Sequence, residues 1–378
     1  MIANTSTMQN RGGFNANIHG ARGLFAAMVF VFHISNSGLT TFSLIKGSLL
    51  VTYALPSLKF GVDLFFGISG FVIVGALARA PSIAAFLRDR ATRIYPALWA
   101  SLIAITAVSL ATGRWIPSLT VWMLNFLAPP PFFPMDQVNP AAWSLGYEMT
   151  FYALCAACWW LRARGVRSWR VIAAVVGTGL LVMYPRAMLM AGGVGIALGY
   201  GRGAAMQRLS ARPLLALVGF LLLWRVVELA GGGNPLKLTP IDLPFALYVT
   251  LVPGLLAVGA LGGMALLGIA DGRGMLSRLL RSAPLQWLGG VSYSFYLWHP
   301  VVLGAAKAVL ARTGVFVAVG PAAQLLLFVA GLPPTLIVAE LSRRWIEVGA
   351  TRWLRRFGPR GVDAVPRTAA AAAEPVAR

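Results

Sequence analysis

The stretch Arg22-Gly23-Leu24-Phe25-Ala26-Ala27-Met28-Val29-Phe30-Val31-Phe32-His33 decides how this chain folds and where its chemistry is to be sought. Nothing between Arg22 and His33 carries a charge or a polar side chain, so the segment reads as a helix in apolar surroundings. On an α-helix eleven steps turn about 1100°, within about 20° of three full turns, and rise about 16 Å. Arg22 and His33 therefore share one face, roughly half a membrane apart. An Arg at the centre of a membrane helix costs about 2.5–3.5 kcal/mol on insertion scales, so such groups face a protein interior or a wet cavity. The competing reading makes Arg22 a flanking charge and His33 a hydrogen-bonded interface residue. This segment alone leaves both open.

Working outward, the rest of the chain is of the same kind. It has 378 residues, 58% of them hydrophobic and only 11% charged, with a mean hydropathy of +0.74. That composition excludes an ordinary soluble enzyme and predicts an all-α polytopic membrane protein. Apolar runs long enough to cross a hydrocarbon core of about 30 Å fall at residues 21–37, 60–78, 94–112, 141–161, 169–185, 187–201, 213–230, 243–270, 284–306 and 315–341. They predict about ten transmembrane helices around a polar cavity. The division within 169–201 rests on Pro185-Arg186 alone, so nine spans remain the alternative.

The net charge of +21 invites a nucleic-acid reading, but its distribution argues against one. With ten spans and the N-terminus inside, 24 of the 32 Lys and Arg residues fall on the cytoplasmic side. Lys46, Lys59, Arg114, Arg186, Arg225, Lys237, Lys307 and Arg312 fall outside. This is the positive-inside bias of insertion, and it places both termini in the cytoplasm. No cleavable signal is expected, because the first twenty residues lack an apolar core. Residues 1–17 are expected to be a flexible cytoplasmic N-terminus, 18–348 one membrane domain, and 349–378 a basic, then disordered cytoplasmic tail. The longest outer loops are expected at residues 38–59, 113–140 and 231–242, all apolar or Pro-rich, and the one with Pro129, Pro130, Pro131 and Pro134 is expected to cap a cavity mouth. Cys155 and Cys158, spaced C-x-x-C in an apolar run, read as packing residues, and no metal is expected.

Four further clusters place polar groups in apolar sequence. Gly61-Val62-Asp63-Leu64-Phe65-Phe66-Gly67-Ile68-Ser69-Gly70 has the small residues that let helices approach closely, plus Asp63 and Ser69. Arg88, Arg90 and Arg93 lie within two turns, and guanidinium forks match phosphate oxygens; simple flanking charge is the alternative. Trp143-Ser144-Leu145-Gly146-Tyr147-Glu148 puts one of only eleven acids in or near the membrane. Glu148 is expected to pair with Arg or His. In Ser292-Tyr293-Ser294-Phe295-Tyr296-Leu297-Trp298-His299-Pro300, aromatic anchoring explains the tyrosines and Trp298 but explains His299 poorly. Tyr296 and His299, three apart, share a face.

In order along the chain, Arg22-x10-His33, Gly61-Val-Asp-Leu-Phe-Phe-x-x-Ser-Gly-Phe, Arg90-x-x-Arg93-Ile-Tyr-Pro, Trp143-Ser-Leu-x-x-Glu148, Ser292-Tyr-Ser-x-Tyr-Leu-Trp-His299-Pro and Ile346-Glu347 resemble the acyltransferase-3 family of membrane O-acyltransferases. The likeness covers residues 18 to about 348. It departs at His19, where the family usually has an acid, and at Met149-Thr150, which replace a polar pair.

The resemblance implies transfer of an acyl group, commonly acetyl, from cytoplasmic acyl-CoA to a hydroxyl of a sugar, glycan or glycosylated small molecule. The expected setting is a bacterial inner membrane. Arg22, Arg90 and Arg93 are then expected to hold the donor's phosphates, and His33 to meet the thioester as general base or as acylated intermediate. Glu148 is expected to orient or charge-balance a catalytic imidazole. Asp63, Ser69, Tyr296 and His299 are expected on the acceptor side or in support. The alternative from another class is a flippase for a lipid-linked saccharide, which would use the same polar cavity without covalent chemistry. The oligomeric state is left open.

Overall fold

A computed structural model describes residues 14–40, 47–113, 116–129, 131–133 and 135–356. The expectations for residues 1–13 and 357–378, and for Pro130 and Pro134, lie outside the described residues. Ten principal helices follow in order: α1 (Ala16–Ser35), α2 (Gly61–Arg79), α3 (Ile83–Thr112), α4 (Trp143–Ala163), α5 (Trp169–Met183), α6 (Met188–Ala197), α7 (Pro213–Ala230), α8 (Phe245–Ala270), α9 (Ala283–Arg312) and α10 (Ala323–Ser342). No strand occurs among the described residues.

Among the described residues seven helical segments are long and apolar enough to cross a membrane, those built on α1, α2, α3, α7, α8, α9 and α10. The other three fall short for different reasons. Helix α4 opens on the polar motif around Glu148, α5 has 15 residues, and α6 has ten. Pro185 does break the chain between α5 and α6, through the turn Pro185–Ala187. The expected loop at 38–59 is helical over its second half. A π turn at Leu50–Ala54 and the turns Leu55–Ser57 and Leu58–Phe60 run on into α2, giving a continuous segment Leu50–Arg79.

Helix α1 starts where it does because Asn15 caps it. The Asn15 Oδ1 accepts from the backbone N–H of Asn17 and Ile18 at 3.0 and 3.1 Å, satisfying donors that a helix start leaves orphaned. Its amide donates to the carbonyl of Ala270 at 2.9 Å, fastening α1 to the end of α8. Asn17 is buried and accepts from Ser277 Oγ at 2.8 Å and Arg281 Nε at 3.1 Å. Residues 14–17, expected to be flexible, thus form an anchored helix start.

Three close glycine contacts set the depth at which α1 and α2 meet their partners. A Cβ on Gly289 of α9 would stand 2.1 Å from the carbonyl oxygen of His19 on α1, and one on Gly20 would stand 1.8 Å from that of Leu280. On the other side, a Cβ on Gly70 of α2 would lie 2.0 Å from the carbonyl oxygen of Met190 on α6. Membrane helices pack chiefly by van der Waals contact, so small residues decide the approach distance. Gly289→Ala is therefore expected to destabilise the protein by about 1–3 kcal/mol through overpacking. Gly177→Ala on α5, where nothing lies within 4 Å, serves as the neutral control. Thermal unfolding in detergent measures both; equal midpoints would contradict the packing argument.

Charges counted as outer flanks are partly internal. Arg186, 4% exposed, forms a two-pronged pair with Asp63, 1% exposed, at 2.6 and 3.1 Å. Trp224 Nε1 donates to the same carboxylate at 3.3 Å, and the Arg186 guanidinium lies 4.3 Å from the centre of the Trp143 ring. Glu228, fully buried, accepts from Lys59 and from Arg225 at 2.8 Å. Three of the expected outer cations are thus paired with two buried acids, Arg186 with Asp63 and both Lys59 and Arg225 with Glu228, which is how their partial or full burial is tolerated.

Candidate active site

Helices α1, α2, α3, α4 and α9 converge on one cavity that is open to solvent. Arg22 enters from α1, Ser69 from α2, Arg90 and Arg93 from α3, Ser144, Glu148 and Tyr152 from α4, and Tyr293 and Tyr296 from α9. Six of the nine residues singled out from sequence therefore share its wall: Arg22, Ser69, Arg90, Arg93, Glu148 and Tyr296.

The electrostatics of this wall are those of a partly compensated cationic site. Glu148 accepts from Ser69 Oγ at 2.9 Å and from the Tyr152 hydroxyl, four residues on and therefore on the same helix face. Glu347, on the π turn Arg343–Glu347, accepts from Ser294 Oγ, whose oxygen also lies 2.8 Å from the Ser342 hydroxyl. Both carboxylates act electrostatically on Arg22, with Arg93 as its like-charged neighbour. Asp89 pairs with Arg90, whose guanidinium sits 6.0 Å from the Tyr152 ring centre. Among the described residues neither Arg22 nor Arg93 forms an ion pair within 4 Å. Guanidinium groups so placed can accept a polyphosphate with bidentate geometry.

The two histidines lie apart from this wall. His33 Nδ1 and His299 Nε2 are 3.1 Å apart, with ring centroids at 4.7 Å. His33 Nδ1 is also 2.9 Å from the carbonyl oxygen of Val29, one turn earlier on α1. His299 is 1% exposed and enclosed by the rings of Phe30, Phe295 and Tyr296. Tyr296 is the link, since it lines the cavity, has its ring centre 5.9 Å from that of His299, and shares a 3.0 Å hydrogen bond with Ser144.

Glu148 makes its hydrogen bonds to Ser69 and Tyr152, while the imidazoles contact each other. The physical reason is that Ser144, one turn earlier on α4, already meets Tyr296, leaving Glu148 a turn away on the arginine side. Asp63, expected on the acceptor side or in support, is held in its pair with Arg186 beneath Trp143.

Sequence reasoning passes over Arg186, Tyr152 and Asn139. Tyr152 has a usable signal in its i,i+4 relation to Glu148. Arg186 has only its position beside a helix-breaking proline. Buried Asn139 donates to Ser101 Oγ and to the carbonyl of Leu297, both at 3.0 Å, steadying α9 just before its internal Pro300. Cys155 and Cys158 are both free and half-buried.

The comparisons with known proteins agree with one another. The family model described as an acyltransferase domain, acyltransferase 3, matches residues 15–341. The exopolysaccharide production protein ExoZ of Rhizobium meliloti (strain 1021) is 30% identical over 78% of this chain and 88% of its own length. The peptidoglycan O-acetyltransferase OatA of Listeria monocytogenes is 26% identical over 88% of this chain, which spans 55% of that protein. The acyltransferase MdmB of Streptomyces mycarofaciens is 26% identical over 76% of this chain and 78% of its own. No solved structure matches the chain significantly.

Proposed function

This chain belongs to the acyltransferase-3 family, and on that premise we propose that it moves an acyl group, acetyl in the simplest case, from acyl-CoA to a hydroxyl of a sugar, glycan or glycosylated small molecule. The observation that carries the reading is helix α1, which has a guanidinium-lined cavity at its Arg22 end and a pair of contacting histidines, His33 and the buried His299, at its other end.

In this proposal all ten helices traverse or enter a bacterial inner membrane, with both termini cytoplasmic as the positive-inside bias favours. Residues 18–348 form the membrane domain. Donor phosphates sit among Arg22, Arg90 and Arg93, and the thioester arm extends past Tyr296 toward His33. His33 serves as general base: the acceptor oxygen forms a C–O bond to the acyl carbon as the C–S bond breaks. The hydroxyl proton passes to the imidazole and then to the departing thiolate, so charge and protons balance. A flippase without covalent chemistry would leave the histidine pair without a task.

Purified protein with labelled acetyl-CoA and candidate glycans tests the reading. Thiol release that depends on the acceptor is expected; movement of saccharide without thiol release would overturn it. Arg22→Ala is expected to raise the KM for the donor about tenfold or more, since hydrogen bonds to a charged partner contribute about 1.5–3 kcal/mol each. The acceptor KM should stay the same, and an unchanged donor KM would remove Arg22 from the donor site.

A further inference from the structure

The contacts around His33 assign its tautomer. The Val29 carbonyl can only accept, so a His33 Nδ1 lying 2.9 Å from it carries the proton and donates. A neutral His33 therefore keeps its lone pair on Nε2. His299 Nε2, 3.1 Å from that same Nδ1, must then present a lone pair and not a second proton. Its own proton consequently sits on Nδ1, whose carbonyl neighbours are Tyr296 and Phe295 of the preceding turn. Pro300 has no N–H, so the carbonyl of Tyr296, four residues earlier, has lost its helical donor. The His-Pro step therefore leaves an acceptor beside the nitrogen that needs one. By strict geometry His299 Nδ1 has no hydrogen-bond partner among the described residues. The facing carbonyl attracts its proton without a well-aligned bond.

We infer that His299 is a positioning residue for the acyl transfer: its Nε2 lone pair and the Val29 carbonyl together hold the His33 proton on Nδ1, so that Nε2 of His33 is the reacting nitrogen. This rests on the reading of His33 as base. When Nε2 takes the acceptor proton, the resulting imidazolium already has its Nδ1–H between two acceptors. Such charge-assisted bonds are about twice as strong as neutral ones, so these two contacts strengthen as the imidazolium forms during transfer. Without His299 the ring can turn over or shift its proton, and a fraction of molecules presents N–H to the acceptor hydroxyl. His299 touches no reacting atom in this scheme; it acts through His33.

The chain has only three histidines, His19, His33 and His299, so nitrogen-15 spectra of histidine-labelled protein resolve each ring. In the parent protein His33 is expected to show a protonated Nδ1 and a bare Nε2, and in His299→Leu a mixture of tautomers. His299→Leu should lower kcat about 10- to 100-fold, the usual effect of losing a partner that orients an imidazole, with both KM values unchanged. His299→Gln, whose side-chain oxygen can accept from His33, should recover most of kcat. A parental His33 protonated on Nε2 overturns the inference, as does a His299→Leu enzyme at parental kcat. A rise in acceptor KM shared by both variants would also overturn it, making His299 part of the binding surface. If instead His33→Ala remains active, the underlying reading fails. The spectra judge the tautomer assignment independently of that result.

Discussion

Replacing His33 by alanine is expected to lower acyl transfer by about 10²–10⁴-fold, the range that a well-placed general base contributes, with the protein still inserted and folded. The side chain projects from a helix anchored elsewhere, through the Asn15 cap, the Asn17 contacts and the glycine contact with α9. None of these involves the imidazole. Its loss removes a bond to a carbonyl one turn back and a contact with His299, both local. Donor binding should persist, because the guanidinium groups lie at the other end of α1. The measurement is initial rate against acetyl-CoA at saturating acceptor, with thermal unfolding as the folding control. Parental turnover in folded His33→Ala would sink the mechanism. A second outcome separates base from nucleophile. With labelled donor and no acceptor, the base mechanism leaves no acyl group on the protein, whereas an acyl-imidazole at His33 would establish the covalent route.

The largest loss of stability is expected from Asp63→Ala. Breaking a buried ion pair by removing one member costs about 3–5 kcal/mol, because the other charge is left uncompensated. Here the stranded group would be Arg186, nearly inaccessible and stacked on Trp143. The pair joins α2 to the turn before α6, while Trp143 opens the helix that carries Glu148, so disorder there spreads into the cavity wall. Asp63→Leu combined with Arg186→Met removes both charges and is expected to recover much of the loss, since buried pairs are often matched by apolar residues of similar volume. Unfolding midpoints of the single and double variants measure this. A double variant no more stable than Asp63→Ala would mean that the pair acts through shape and not through charge.

Much of the architecture is legible in the order of the residues. The ten principal helices fall close to the ten apolar runs, because run length and helix rise are properties of a short segment. The polar positions within those runs mark the site for the same reason: an Arg, Glu or His in such a setting is costly unless it has a partner. Glu148 stands out in this way, but its partner does not. The segment shows that a carboxylate lies in apolar surroundings, and nothing local shows that Ser69, 79 residues away, meets it. The 38–59 segment reads as an outer loop, and only its packing against α1 and α7 goes with the helical form of its second half.

The sequence by itself determined the class of the protein, the places of its helices, and the eleven-residue relation of Arg22 to His33. Each follows from periodicity within one segment. The tertiary structure alone decided which groups meet: Asp63 with Arg186 across 123 residues, and His33 with His299 across 266. The difference is physical. A helix dictates the direction of its own side chains, but the groups opposite them depend on the depth and rotation at which two helices pack. Here that is set by backbone contacts at Gly20, Gly289 and Gly70 that no single segment encodes.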